Sequence, residues 1–163
     1  MTSLENNPSV DNEVLDEMER IYSKTRDISR ENSAIDLNQD YGLQLNDLLL
    51  GYKNQNVTIV TRNLSKIEWK DVSEVKKTAI YRVLQELMTN MRKHSMATSV
   101  ALVFTQVGSK IEIKYRDNGI GCDLFKKNGL QNTETRIASI NGTISFESKK
   151  NDGFKATMNP SNY

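Results

Sequence analysis

Histidine and cysteine are almost missing from this chain of 163 residues, with one of each. Cys122 alone cannot form an intrachain disulfide, which fits a reducing, cytoplasmic setting. The sequons at Asn56, Asn63 and Asn141 then carry no meaning, because glycosylation needs secretion. With His94 as the sole imidazole, a His-rich zinc site and any hydrolase needing a second histidine are excluded. A dominant charge is missing too. The 22 Lys and Arg against 21 Asp and Glu leave a net charge of +1, so no global field draws in nucleic acid or membrane, and any anion site must be local. Apolar runs are too short to span a bilayer, and the N-terminus has no apolar core of the signal-peptide kind. A hydrophobic share of 37% with 26% charged residues describes a soluble protein that still builds one sizeable core.

What is present is periodicity. Residues 1–10, "MTSLENNPSV", read as a disordered polar tail. From Asp11 onward Val14, Met18, Ile21, Thr25 and Ile28 recur in steps of three and four, which predicts an amphipathic helix with a narrow seam. The leucines from Leu43 to Leu50 predict a second helix ending near Gly51. "NVTIVTRN" is rich in β-branched residues and reads as a strand. Val75 to Ser95 is the longest predicted helix, with Ile80, Leu84, Leu87, Met88 and Met91 facing the core. Strands "TSVALVFTQV" and "KIEIKYRD" follow, then a glycine-bearing loop, a helix "LQNTETRIASI", and a hairpin of "TISFES" and "FKATMN". Helices and strands alternate irregularly around adjacent hairpins. This predicts an α+β two-layer sandwich, with residues 1–10 as a tail, 11–52 as a helical segment and 53–163 as the main domain.

Three segments carry polar chemistry. On the long helix, Glu86, Asn90, Lys93 and His94 stand at i, i+4, i+7 and i+8, one stripe of an α-helix. Asn90 offers a hard carboxamide oxygen suited to Mg²⁺, Glu86 a proton acceptor, and Lys93 and His94 positive charge and donors for phosphate. The bland alternative is a solvated helix edge. In "RDNGIG", Asp117 at a strand end precedes Gly119 and Gly121. Such an aspartate accepts from the exocyclic amine of adenine and repels the carbonyl of guanine, while the glycines let the backbone come close. An ordinary Asp-Asn-Gly turn has the same composition. In "KKNGLQN", Lys126 and Lys127 lead through Gly129 into a helix whose free N–H groups form a phosphate site, or simply a solvated loop before a capped helix.

In their order and spacing these segments resemble the ATP-binding catalytic domain of sensor histidine kinases, over roughly residues 53–160. That domain shares the GHKL, or Bergerat-type, fold with type II topoisomerases, mismatch-repair ATPases and heat-shock chaperones: a mixed sheet covered by helices on one face. "ELMTNMRKHSMATSV" is most similar to the branch paired with response regulators carrying a helix-turn-helix output, as is the short lid, with seven residues between Gly121 and Gly129. The resemblance implies ATP and Mg²⁺ as ligands, with Asn90 on the metal and Glu86 as the neighbouring catalytic acid. It places Lys93 and His94 near the phosphates, Asp117 on the adenine amine, and Gly119 and Gly121 along that wall. Gly129 becomes the hinge after the lid, and Thr157 lies beneath the base.

The resemblance also implies a phosphoacceptor histidine on a dimerisation helix, and this sequence has no second histidine. "LDEMERIYSKTRDISREN" is similar to the second dimerisation helix, so the chain reads either as a fragment of a longer kinase, membrane-anchored or not and able to pair with a second copy, or as a kinase-like protein that acts on another chain. The last strand departs from the family's Gly-Thr-rich pattern by carrying Phe154 and Lys155. Two other readings compete: an anti-sigma-factor-type serine kinase, against which the helix at 11–31 argues, and a non-catalytic interaction module that keeps the sandwich without the nucleotide.

Overall fold

The computed structural model describes residues 14–18, 20–21, 35–36, 39–121 and 128–160. Its internal contacts divide the chain into two units, Met1–Ala34 and Ile35–Tyr163. In the first unit residues 14–18 and 20–21 are helical, and Val14, Leu15, Met18 and Ile21 are exposed. The expected tail at 1–10 and the rest of the predicted seam, Thr25 and Ile28, lie outside the described residues.

The second unit begins with helix α1, Tyr41–Leu50. Asp40 caps it by accepting from the Leu43 N–H at 3.1 Å, and Gly51 closes it. Strand β1, Thr58–Arg62, leads through two short 3₁₀ turns, Leu64–Lys66 and Trp69–Asp71, into helix α2, Glu74–Asn90. Ser73 starts α2, its hydroxyl accepting from the Lys76 N–H, and Glu74 adds a favourable charge to the first turn. Strands β2, Ser99–Val107, and β3, Lys110–Asp117, form a hairpin. Helix α3, Asn128–Ala138, precedes a second hairpin of β4, Thr143–Ser148, and β5, Phe154–Asn159.

The described strands form one mixed sheet in the order β1-β2-β3-β5-β4, with β1 parallel to β2 and every other pair antiparallel. Alternation decides which face is covered. Val100, Leu102 and Phe104 of β2, Ile113 and Tyr115 of β3, and Ala156 and Met158 of β5 are all buried. Lys114, Arg116 and Lys155 between them are exposed. The buried face joins one core with Leu45 and Leu49 of α1, Ile80, Val83, Leu84 and Met88 of α2, and Ile137 of α3. Each such side chain contributes about 1.5–3 kcal/mol on leaving water. This is the two-layer α+β architecture that the sequence predicts, with strand limits close to the expected ones.

Two features differ from the sequence reading. First, the boundary between units falls after Ala34, whereas the spacing placed the main domain from residue 53. The reason is α1: Tyr41, Leu45, Leu48 and Leu49 are buried in the core, so the helix belongs to the sandwich. Second, the long helix is not α-helical to Ser95. After Asn90 it widens into a π turn, Met91–Ser95, and stops at Met96 in the left-handed conformation, φ 53°.

Candidate functional site

The covered face of the sheet and the end of α2 meet at a small cavity. Asn90, Met91, Ser95, Asp117, Gly121, Leu130 and Phe154 line it. The α-helical period of α2 buries Leu87 and Met88 and leaves Glu86 and Asn90 at the edge of the core, half-buried. The Asn90 amide nitrogen is enclosed and has no hydrogen-bond partner. Such a group costs about 1–3 kcal/mol unless something completes it, and a half-turn of the carboxamide would present its oxygen at the same place.

Asp117 ends β3 on the covered face and is 3% exposed. Its Oδ1 accepts from the Gly119 N–H at 2.9 Å and its Oδ2 from the Tyr115 hydroxyl at 2.7 Å. Burial, reinforced by the Asp117 charge, pushes the Tyr115 phenol well above its ordinary pKa, so it stays a donor. A carboxylate offers about four acceptor positions, so both oxygens keep capacity for a ligand N–H.

The two motifs are tied together by backbone. The Ile120 N–H donates to the Ser95 carbonyl at 2.7 Å. Asn118 Oδ1 accepts from the Thr98 and Ser99 N–H groups at 2.9 Å each, and its Nδ2 donates to Thr98 Oγ1. The approach is so close that a Cβ on Gly119 would lie 2.2 Å from the Ser95 carbonyl oxygen. Gly121 has φ +75°, and a Cβ there would lie 2.5 Å from the Lys149 carbonyl oxygen. Both glycines are therefore required by close contacts within the protein's own backbone.

Three expected site residues lie outside the lining of this cavity. Lys93 and His94 sit in the π turn and are exposed; the wider turn breaks the roughly 3.6-residue period, so the stripe from Glu86 and Asn90 does not continue to them. Thr157 pairs with Lys114 and Ser145 on the opposite, uncovered side of the sheet. The residue of β5 that faces the cavity is Phe154, in register with Asp117. Gly129 is the second residue of α3, inside its first turn. Lys126, Lys127 and the expected lid lie outside the described residues.

Tyr115, Asn118 and Leu130 do not stand out in the sequence as cavity neighbours, and Phe154 stands out there only as a departure from the family's last strand. Counting back two from Asp117 finds Tyr115, and aligning the β4–β5 hairpin against β3 finds Phe154; both are period-2 signals. Phe154 stacks on Phe146 at 5.8 Å and meets Tyr115 edge-on at 6.1 Å, which fixes its ring. With it in place the cavity holds about 20 Å³, room for about one water.

No family model matches the chain. It is 34% identical over 85 residues to the sensor histidine kinase ComP of Bacillus subtilis (strain 168), covering 48% of this chain and 11% of that protein. It is 32% identical over 79 residues to the signal transduction histidine-protein kinase/phosphatase DegS of Brevibacillus brevis, covering 46% of this chain and 20% of that one. This chain is related to sensor histidine kinases. The likeness of fold reaches further: the histidine kinase domain from the Erythrobacter litoralis EL346 blue-light activated histidine kinase superposes with a TM-score of 0.59 at 12% identity, over 83% of this chain and 68% of that domain. The matches span only about a tenth to a quarter of the curated relatives' length. Among the described residues, no helix is long and apolar enough to cross a membrane. Nor do they contain a cluster of three His, Cys, Asp or Glu side chains that could hold a metal.

Proposed function

We propose that the Ile35–Tyr163 unit binds Mg²⁺-ATP and is the catalytic part of a two-component sensor histidine kinase. It would transfer the γ-phosphate to a histidine on a dimerisation helix, for relay to a response regulator with a helix-turn-helix output. The observation that carries this reading is the meeting of an unpartnered, enclosed carboxamide, Asn90, with a buried carboxylate, Asp117, on one cavity. Their chemistry fits the group: a hard oxygen donor for a cation that prefers oxygen, and an acceptor for an exocyclic amine.

Mg²⁺, once held, supplies charge neutralisation across the phosphate oxygens. The protein's own share is positioning and polarity. Asp117, with Tyr115 and Gly119 fixing its carboxylate, selects adenine and disfavours guanine. Asn90 sets the cation's place at the end of α2. Glu86, one turn earlier, is the acid nearest that place along the helix and orients the attacking group. Lys93 and His94, outside the cavity lining, attract the phosphate tail where it leaves the pocket. Because the cavity takes about one water, base entry requires the Phe154 and Leu130 side chains to part.

The test is calorimetric titration with ATP and GTP in the presence of Mg²⁺, on the chain and on Asp117→Asn. ATP should bind, GTP should not match it, and Asp117→Asn should lose about tenfold or more in ATP affinity. Failure of ATP to bind would leave the sandwich as a protein-interaction module.

A further inference from the structure

A second, larger cavity lies at the N-terminal end of α1, away from the Asn90 and Asp117 site and sharing no lining residue with it. Its volume is about 770 Å³, within the range of small-molecule sites. One wall is aromatic. Tyr41 and Trp69 meet edge-to-face with ring centres 4.8 Å apart, and Phe104 holds Trp69 from behind at 6.4 Å. Both rings are buried, and the Tyr41 hydroxyl is committed to the Lys77 carbonyl at 2.6 Å.

Trp69 is 8% exposed, and its indole N–H has no hydrogen-bond partner. An indole nitrogen only donates, so it needs an acceptor, and a buried one without it costs about 1–3 kcal/mol. The N–H lies against the first turn of α1: a Cβ on Gly42 would stand 3.4 Å from it. That turn carries backbone N–H groups that no helical carbonyl can satisfy. Asp40 takes up the Leu43 N–H of that turn, so the indole N–H is the unmet donor, beside two buried rings set edge to face. The charges around the cavity balance, with Asp40 and Glu68 against Lys70 and Lys77, so it favours no ion.

We propose that this cavity is a second small-molecule site, for an uncharged planar ligand that presents a hydrogen-bond acceptor to the Trp69 N–H. The ring lies along the Tyr41–Trp69 wall and a carbonyl or ring nitrogen completes the indole. Nothing in the nucleotide reading depends on this site, and the two fail separately.

The chain has a single tryptophan, so one indole N–H resonance reports the site without assignment ambiguity. The experiment titrates the ¹⁵N-labelled full chain with benzamide, and in parallel with toluene, which lacks the acceptor, and benzoate, which is charged. Benzamide should move the indole resonance saturably, with a dissociation constant on the order of 1 mM for so small a probe. Toluene and benzoate should bind at least about tenfold more weakly. Ligand-observed NMR on Trp69→Phe should show the same loss. Gly42→Ala, which places a methyl against the N–H and keeps the reporter, gives a second reading if Trp69→Phe does not fold. An indole resonance that stays still, an equal response to toluene or benzoate, or binding that survives substitution would overturn the proposal.

Discussion

The two cavities of the Ile35–Tyr163 unit differ in size and in what lines them. The one between α2 and β3 is nearly filled, at about 20 Å³, and sets Asn90, Ser95 and Asp117 among apolar neighbours; the one beside α1 is roomy, at about 770 Å³, with a mostly polar lining and one unmet indole donor, Trp69. Size alone would have chosen the second as the active site. The proposed nucleotide site is the first, because it joins the buried, hydrogen-bonded carboxylate of Asp117 to the unpartnered carboxamide of Asn90. The difference teaches that a motif for ligand binding can also be a motif for close backbone contact, and that the contact is what keeps the site tight.

The sharpest way to break this comparison is at the contact itself. Gly119→Ala drives a methyl into the Ser95 carbonyl, and backbone cannot swing aside. We expect a loss of about 3 kcal/mol in denaturant unfolding, where a glycine kept only for ligand approach would cost little. Phe154→Ala should be comparable, about 3 kcal/mol, since it removes a ring packed on Phe146 and Tyr115. It should also enlarge the small cavity, which xenon or a crystallographic difference map would report. Tyr115→Phe is milder. It strips one donor from a buried carboxylate and should cost about 1–3 kcal/mol, reading as lower stability with unchanged secondary structure.

Tyrosine ionisation gives a pH signature. Tyr41 and Tyr115 are both held well above the ordinary value by burial. Their protons are bound more tightly in the folded chain, so their contribution to stability is complete below about pH 10. It is lost as pH rises from there through the folded values, because the unfolded chain releases those protons first. Stability should therefore fall above about pH 10, and less steeply in Tyr115→Phe than in the parent chain once each is referred to its own neutral-pH value. The smallest effect is expected at Asn118→Ala, about 1–2 kcal/mol, from the loss of bonds to Thr98 and Ser99 on a solvent-facing side chain.

These expectations bear on what the sequence could disclose. Strand limits, the core face of α2 and the two-layer architecture followed from period 2 and period 3.6, because burial on one face imposes those periods. Asn90 and Asp117 stand out in the sequence because each sits on a regular element just before it ends. Lys93 and His94 do not extend the stripe of Glu86 and Asn90, since the chain widens its turn after Asn90. Thr157 was misplaced by one residue of register, which reverses the face of every side chain in a strand. The roles of Gly119 and Gly121 were half-read: glycine in a loop signals close approach, but not to what.

The central claim is that Asn90 holds the cation of Mg²⁺-ATP in a pocket whose base recognition lies separately at Asp117. The most direct measurement is an ATP titration with and without Mg²⁺, on the parent chain and on Asn90→Ala. The account predicts that Mg²⁺ strengthens ATP binding to the parent chain, while Asn90→Ala binds ATP equally weakly in both conditions. An Asn90→Ala chain that keeps the full Mg²⁺ enhancement would contradict it.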